Sequence, residues 1–268
     1  TVLGMGRSAV GAARLLVREG ALPFVSEVGD SPPELYRQAL DAMEIPYEVG
    51  GHSARAWDTE LAVVSPGVPA GLPALSALRE RGIPVMGELE LGYLFCKSRI
   101  LAVTGTNGKT TTTELLRHLI AHCGHTVALA GNNALPLCEA VLENPAPKYM
   151  VLEVSSYLLE TVWQFRPWIA AALNLTPDHL GRHQTMEAYA EAKARIFRRQ
   201  RDGDAAVLNR DDDWTAEMGV PDEVRLLSFS VGEFCLEGLW ADSTSIYDRM
   251  EVVAQLSDNP LPGKHNLY

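Results

Sequence analysis

The sequence predicts an α/β protein in which parallel sheets are flanked by helices, arranged as two domains. Three observations carry that expectation. Short apolar, β-branched runs alternate with segments of helical period through most of the chain. Two strand-to-helix junctions are glycine loops, Gly4-Met5-Gly6-Arg7-Ser8-Ala9 and Gly105-Thr106-Asn107-Gly108-Lys109-Thr110. The 268 residues also exceed one typical domain and suit two. The boundary is expected between residues 93 and 99, giving domains 1–92 and 93–268, with no Pro/Ser-rich linker between them.

In the front domain, Thr1-Val2-Leu3 reads as the end of a strand. Residues 9–18 follow with helical spacing through Val10, Ala13, Leu15, Leu16 and Val17. The next apolar run, 22–25, leads to the acid Glu27, about 20 residues beyond the glycines. This is the G-x-G-x-x-A form of the dinucleotide fingerprint, so the domain reads as Rossmann-like; a purely structural turn is the alternative. Residues 61–64 form a second run, opening onto Ser65-Pro66-Gly67, at the strand end where open sheets bind ligands. A third run, 83–86, precedes Gly87-Glu88-Leu89-Glu90-Leu91, where the two acids read as a solvated face or a helix start.

The central domain is organised around residues 100–112. A buried strand (100–103), a glycine-bounded loop and a helix (110–123, through Leu115, Leu116, Leu119 and Ile120) form a phosphate cradle of the P-loop ATPase type. The general pattern has a glycine where this chain has Val103, so the loop is the compact form G-T-N-G-K-T. Lys109 would reach the outer phosphates and Thr110 would offer its hydroxyl to magnesium.

A strand at 126–129 leads into Gly131-Asn132-Asn133-Ala134, a turn whose asparagines can also hydrogen-bond a sugar or phosphate. The run 149–152 ends on Glu153. A carboxylate there is costly to bury unless a cation meets it, so magnesium is its expected partner, with helix capping the alternative. The strand at 169–175 opens onto a loop carrying Asp178, His179, Arg182 and His183, a cluster suited to metal or phosphate. A helix is expected over 185–199, with Thr185 as N-cap and Lys193 beside its apolar face. An exposed lysine paired with a glutamate stays open for that position. Beyond a strand at 205–208 the pattern changes after residue 224 to short β-rich runs at 226–229, 246–247 and 252–256.

Composition limits the partners. The net charge of −11 argues against nucleic acid. Four cysteines without a close pair argue against a zinc cluster or disulfide framework and fit a reducing cytoplasm. No apolar run approaches the roughly 20 residues that span a bilayer, so no membrane insertion is expected.

Several stretches together resemble one family. Thr104 to Thr111, Glu153-Val154-Ser155-Ser156-Tyr157, Asn174-Leu175-Thr176-Pro177-Asp178-His179, Ala192-Lys193 and Pro262-Gly263-Lys264-His265-Asn266 fall in the order found in the Mur ligases. These enzymes add amino acids to the peptidoglycan precursor. The front segments Gly4 to Ser8, Val64 to Pro69 and Val85 to Leu91, with Glu160, are similar to the members that add D-glutamate to UDP-N-acetylmuramoyl-L-alanine.

The resemblance implies a three-domain, ATP-dependent carbon–nitrogen ligase working through an acyl phosphate. Its Rossmann-like first domain binds the uridine nucleotide, its central domain binds ATP, and a C-terminal domain, expected to be absent here, brings D-glutamate. ATP and Mg2+ are the implied cofactors, and a cytoplasmic monomer is expected. By similarity, Gly105, Thr106, Asn107, Gly108, Lys109, Thr110, Thr111 and Asn266 hold ATP. Thr110, Glu153, His179 and Lys193, the last as a carbamate, hold magnesium, and Lys109, Lys193 and His179 serve the chemistry. Arg7, Ser8, Glu27, Ser65, Pro66, Gly67, Asn132 and His179 line the acceptor pocket. The chain departs from many relatives at Gly181, at Asn133-Ala134 and at Glu27-Val28-Gly29. The alternatives are a ligase for another amino acid, a folylpolyglutamate synthase-like ligase, and a non-catalytic nucleotide-binding protein.

Overall fold

A computed structural model describes residues 1–143 and 145–258. The chain divides into two compact units. The first takes Thr1–Ser98, Ala128–Pro147 and Tyr157–Phe165; the second takes Arg99–Val127, Lys148–Ser156 and the chain from Arg166 onward.

Up to residue 95 the elements are β1 (Val2–Leu3), α1 (Arg7–Arg18), β2 (Val25–Ser26), α2 (Glu34–Asp41), β3 (Tyr47–Glu48), α3 (Ala54–Trp57), β4 (Ala62–Val64), α4 (Pro73–Glu80), β5 (Val85–Gly87) and α5 (Glu88–Phe95). The strands form a parallel sheet in the order β3-β2-β1-β4-β5. Its centre, β1, is apolar throughout because both faces are covered. Val2 packs with Leu15, Leu16 and Leu40, whereas Leu3 packs with Phe24, Leu75 and Leu78. Successive strand residues thus serve opposite faces. The run at 22–25 yields a strand only at Val25–Ser26, and Leu22 is 99% exposed, because the chain is still leaving the α1 turn there.

Glu88 and Glu90 do start a helix, but they are no solvated face. Glu88 is 2% exposed and Glu90 fully buried, because α5 is enclosed on nearly all sides. Burial of Glu90 is offset by the backbone N–H groups of Trp163 (3.0 Å), Gln164 (2.8 Å) and Phe165 (3.1 Å), which all donate to its carboxylate.

The chain continues through β6 (Arg99–Thr104), α6 (Lys109–His122), β7 (Val127–Gly131), α7 (Leu137–Ala140), β8 (Tyr149–Glu153), α8 (Ser156–Leu159), β9 (Ile169–Ala172), α9 (Leu180–His183), α10 (Met186–Ala194), β10 (Ala205–Asn209), α11 (Asp213–Ala216), β11 (Arg225–Val231), β12 (Gly238–Ala241), β13 (Ser245–Asp248) and β14 (Glu251–Gln255). In the second unit β6 lies between β8 and β9, and β9, β10, β11 and β12 follow in order, all parallel. The change of pattern after residue 224 marks the turn to antiparallel pairing, which joins β12 to β13 and β13 to β14.

Register positions the site. Val103 stands beside Glu153, and Thr104 beside Ala172, so the carboxyl ends of β6, β8 and β9 share one edge. The helix after the loop is present as expected, but its apolar stripe is not enclosed. Leu115 and Leu119 are about half exposed, and Thr113 is its buried side chain. The helix expected over 185–199 ends at Ala194. Beyond it the N–H groups of Ile196 and Phe197 bond three residues back, to Lys193 and Ala194, which tightens the chain out of α-helical register.

Candidate functional site

The glycine loop hangs from β6. Gly105 (φ +146°) and Gly108 (φ +83°) adopt conformations that side chains with a Cβ avoid, which is why glycine bounds the loop. Lys109 then opens the 14-residue α6, whose first N–H groups lack helical acceptors and form a positive end suited to an anion.

A residue that the sequence placed in a motif but gave no role holds this loop. Asn174, just beyond β9, accepts the N–H of Asn107 on Oδ1 (2.9 Å) and donates from Nδ2 to the Asn107 carbonyl (3.2 Å). Its own carbonyl accepts the Thr106 N–H (2.8 Å). Thr106 Oγ1 also accepts the Thr176 N–H (3.1 Å). Two loop amides, those of Thr106 and Asn107, are therefore committed to the segment after β9. The asparagine was visible in the sequence, but only the β6–β9 pairing gives it this partner.

The expected magnesium and phosphate groups gather in the same unit. Thr110 Oγ1 donates to Glu153 Oε2 (2.7 Å), and Glu153 is 3% exposed at the end of β8. Lys109 Nζ donates to the Thr106 carbonyl (2.9 Å), folded back on its own loop. Burial lowers its pKa, and the Glu153 and Asp178 carboxylates oppose that shift. Oxygen donors such as Thr110 and Glu153 suit Mg2+. Among the described residues, no group of three or more His, Cys, Asp and Glu side chains converges to hold a metal by itself.

Lys193 is no exposed lysine. It is 2% exposed, donates to the Gly105 carbonyl (2.7 Å) and lies 4.7 Å from the centre of the Tyr189 ring. Burial, then the nearby Lys109 cation, pull its pKa down to about 7, with Asp178 acting the other way. Tyr189, also not foreseen, is the hub of this corner. It is 1% exposed, and its hydroxyl meets Thr106 Oγ1 at 3.2 Å.

The two histidines of the loop after β9 separate. His183 is buried, with Nε2 2.9 Å from Ser156 Oγ, and has a structural place. His179 is the N-cap of α9 in a left-handed conformation, about half exposed, with Nε2 3.4 Å from Asp178 Oδ2. Asn266 lies outside the described residues.

The first unit holds a separate cavity of about 370 Å³, within the size range of small-molecule sites. Arg7, Ser8, Pro66 and Asn132 line it, as expected, and so does Glu88. Glu27, Ser65 and Gly67 do not. Glu27 instead braces the glycine turn: Met5 N–H donates to its Oε2 and Gly29 N–H to its Oε1, both at 2.7 Å.

Comparison with known proteins places this geometry. The Mur ligase middle domain matches residues 103–268. The chain belongs to the Mur ligase family. Residues 1–87 match the Mur ligase MurD-like N-terminal domain. Among curated relatives, the UDP-N-acetylmuramoylalanine–D-glutamate ligase of Pelotomaculum thermopropionicum is 41% identical, covering 99% of this chain and 60% of its own. The protein of the same name from Salinibacter ruber is 45% identical over 80% of this chain and 47% of its own. This Mur ligase chain thus spans about 60% of the length of curated relatives that match it end to end.

Solved Mur ligases share the fold. The UDP-N-acetylmuramate:L-alanyl-γ-D-glutamyl-meso-diaminopimelate ligase from Neisseria meningitides superposes with a TM-score of 0.64 at 18% identity, covering 99% of this chain and 88% of that one. UDP-N-acetylmuramate–alanine ligase from Thermotoga maritima gives 0.54 at 23% identity, with 99% and 61% covered. Among the described residues, no helix is long and apolar enough to cross a membrane.

Proposed function

We propose that this chain belongs to an ATP-dependent ligase that joins D-glutamate to UDP-N-acetylmuramoyl-L-alanine in peptidoglycan precursor synthesis. In that reading residues 1–92 bind the uridine nucleotide, and residues 93–268 form the central ATP domain of a cytoplasmic monomer. One observation carries it: the buried amine of Lys193 meets the Gly105 carbonyl, in the same unit as the paired Thr110 and Glu153.

The reaction needs charge neutralisation and positioning more than covalent help from the protein. The acceptor's alanyl carboxylate attacks the γ-phosphorus of ATP and ADP leaves, giving an acyl phosphate. The amine of D-glutamate then attacks the acyl carbon, and phosphate departs. The N–H groups from Gly108 to Thr111 face the phosphates at the start of α6. Lys109, released from the Thr106 carbonyl, places its ammonium on the outer phosphates. Thr110 and Glu153, with His179, are the residues that would hold Mg2+. When bound, that ion neutralises phosphate charge.

Lys193 suits the carbamate assigned to it. Only a neutral amine adds to CO₂, forming N–C and releasing a proton, and a lysine with its pKa near 7 is about half neutral at physiological pH. The product is an anion and a metal ligand, which resolves the presence of a second lysine beside Lys109.

Arg7, Ser8, Pro66 and Asn132 hold the acceptor in the cavity of the first unit, with Glu27, Ser65 and Gly67 as acceptor contacts outside its lining. Phosphate release by the full-length protein tests the reading. Release is expected only when UDP-N-acetylmuramoyl-L-alanine and D-glutamate are both present. Release with lysine or diaminopimelate in place of D-glutamate would overturn it.

A further inference from the structure

Glu88 is unexplained by the chemistry above. It opens α5, is 2% exposed, and lines the cavity that also presents Arg7, Ser8 and Asn132. Its Oε1 accepts the Cys138 N–H at 2.5 Å, and the Cys138 thiol donates to the Glu88 carbonyl at 3.2 Å. Among the described residues, no N–H or O–H reaches Oε2. A carboxyl buried this deeply in the wall of a cavity is uncommon, since glutamates are seldom enclosed without a charged partner.

Among the described residues, the arginines nearest Glu88 have carboxylates of their own. Arg7 and Arg14 of α1 are paired with Glu139 of α7, at 3.4 and 3.3 Å, and Arg18 is paired with Glu19 at 2.8 Å. On its own helix Glu90 is occupied by the N–H groups of residues 163–165. Across the cavity Asn132 and Asn133 are uncharged. Burial, with Glu139 adding to it and Cys138 opposing, raises the Glu88 pKa to about 7.

Resting on the ligase reading, we propose that Glu88 is an acceptor-binding residue: its protonated Oε2 donates a hydrogen bond to an anionic oxygen of the bound acceptor. The acceptor of that reading carries a diphosphate whose oxygens are ionised throughout the pH range 6 to 8. A protonated carboxyl facing such a group donates, and an ionised one repels. The acid is therefore a proton-dependent contact. Binding draws a proton onto Glu88 at alkaline pH, and affinity falls as pH rises through 7.

Calorimetry on the full-length protein with UDP-N-acetylmuramoyl-L-alanine tests this. Between pH 6 and 8 the dissociation constant is expected to rise about tenfold, with close to one proton taken up per acceptor at pH 8. Proton uptake is read from the heat in buffers of different ionisation enthalpy. In Glu88→Gln the amide keeps an oxygen for the Cys138 N–H and a donor for the ligand, so both the pH dependence and the proton uptake are expected to vanish. Acceptor binding without pH dependence or proton uptake in the wild type overturns the role of Glu88 and leaves the ligase reading standing. The same result follows if Glu88→Gln keeps the wild-type profile. No acceptor binding at any pH overturns both. The wild-type proton count decides the matter even if the variant is not recovered folded.

Discussion

Lys193 illustrates how one side chain changes character with its surroundings. Exposed, it would be a solvated cation; buried against Tyr189 and bonded to the Gly105 carbonyl, it titrates near neutrality. If it becomes a carbamate, Lys193→Ala should lower phosphate release by about 10- to 100-fold, the scale expected for losing a metal-supporting group. Added bicarbonate should not restore it, since the amine itself is gone. Full turnover in that variant would remove the carbamate from the mechanism. The sequence announced the lysine and its place beside an apolar stripe, but burial was not legible there. Spacing reports which side of α10 a residue occupies, not whether another element covers that side. The same limit hid Glu88 and Glu90, because an E-L-E alternation looks the same whether α5 lies on a surface or is enclosed.

At the scale of elements, α5 is fastened to residues 163–165 by one carboxylate. Glu90→Ala would remove the carboxylate that accepts three N–H groups, that of Phe165 buried and those of Trp163 and Gln164 part-buried. We expect it to lower the stability of the full-length protein by about 3 kcal/mol, measured by denaturant unfolding, since each orphaned donor costs on the order of 1 kcal/mol or more. A change below about 0.5 kcal/mol, ordinary for a surface substitution, would show that other groups satisfy those donors. Strand and helix order was readable because parallel strands buried on both faces are continuous apolar runs, as at Ile100 to Val103. Boundaries were less so. The end of α10 depends on a shift to tighter backbone bonding that no side chain in 195–199 signals. The Thr185 cap, by contrast, was legible, and its side chain accepts the Ala188 N–H at 3.2 Å.

For the molecule as a whole, strand order gathers the loop after β6, Glu153 of β8 and Asn174 beyond β9 at one edge of one sheet. That is where open parallel sheets bind ligands. Nucleotide binding to the native state should raise stability by about 2.7 kcal/mol at 100 times the dissociation constant. A thermal scan of the full-length protein with and without ATP and Mg2+ checks this through a higher melting temperature. An unshifted transition would mean that the edge does not take a nucleotide. Motifs named the contributors to this edge, yet their convergence needed the crossover that sets β9 beside β6, which no local pattern encodes.

Asn174 gives this arrangement a further consequence. Its carboxamide and its carbonyl hold Thr106 and Asn107 from a different strand. The glycine loop is therefore shaped by a segment some seventy residues away in the chain. Should β9 slip or fray, the grip loosens before any atom of the glycine bend itself is altered. Weakened nucleotide retention would then be an early symptom of sheet damage, detectable while the rest of the protein still scatters, sediments and absorbs light as a folded body.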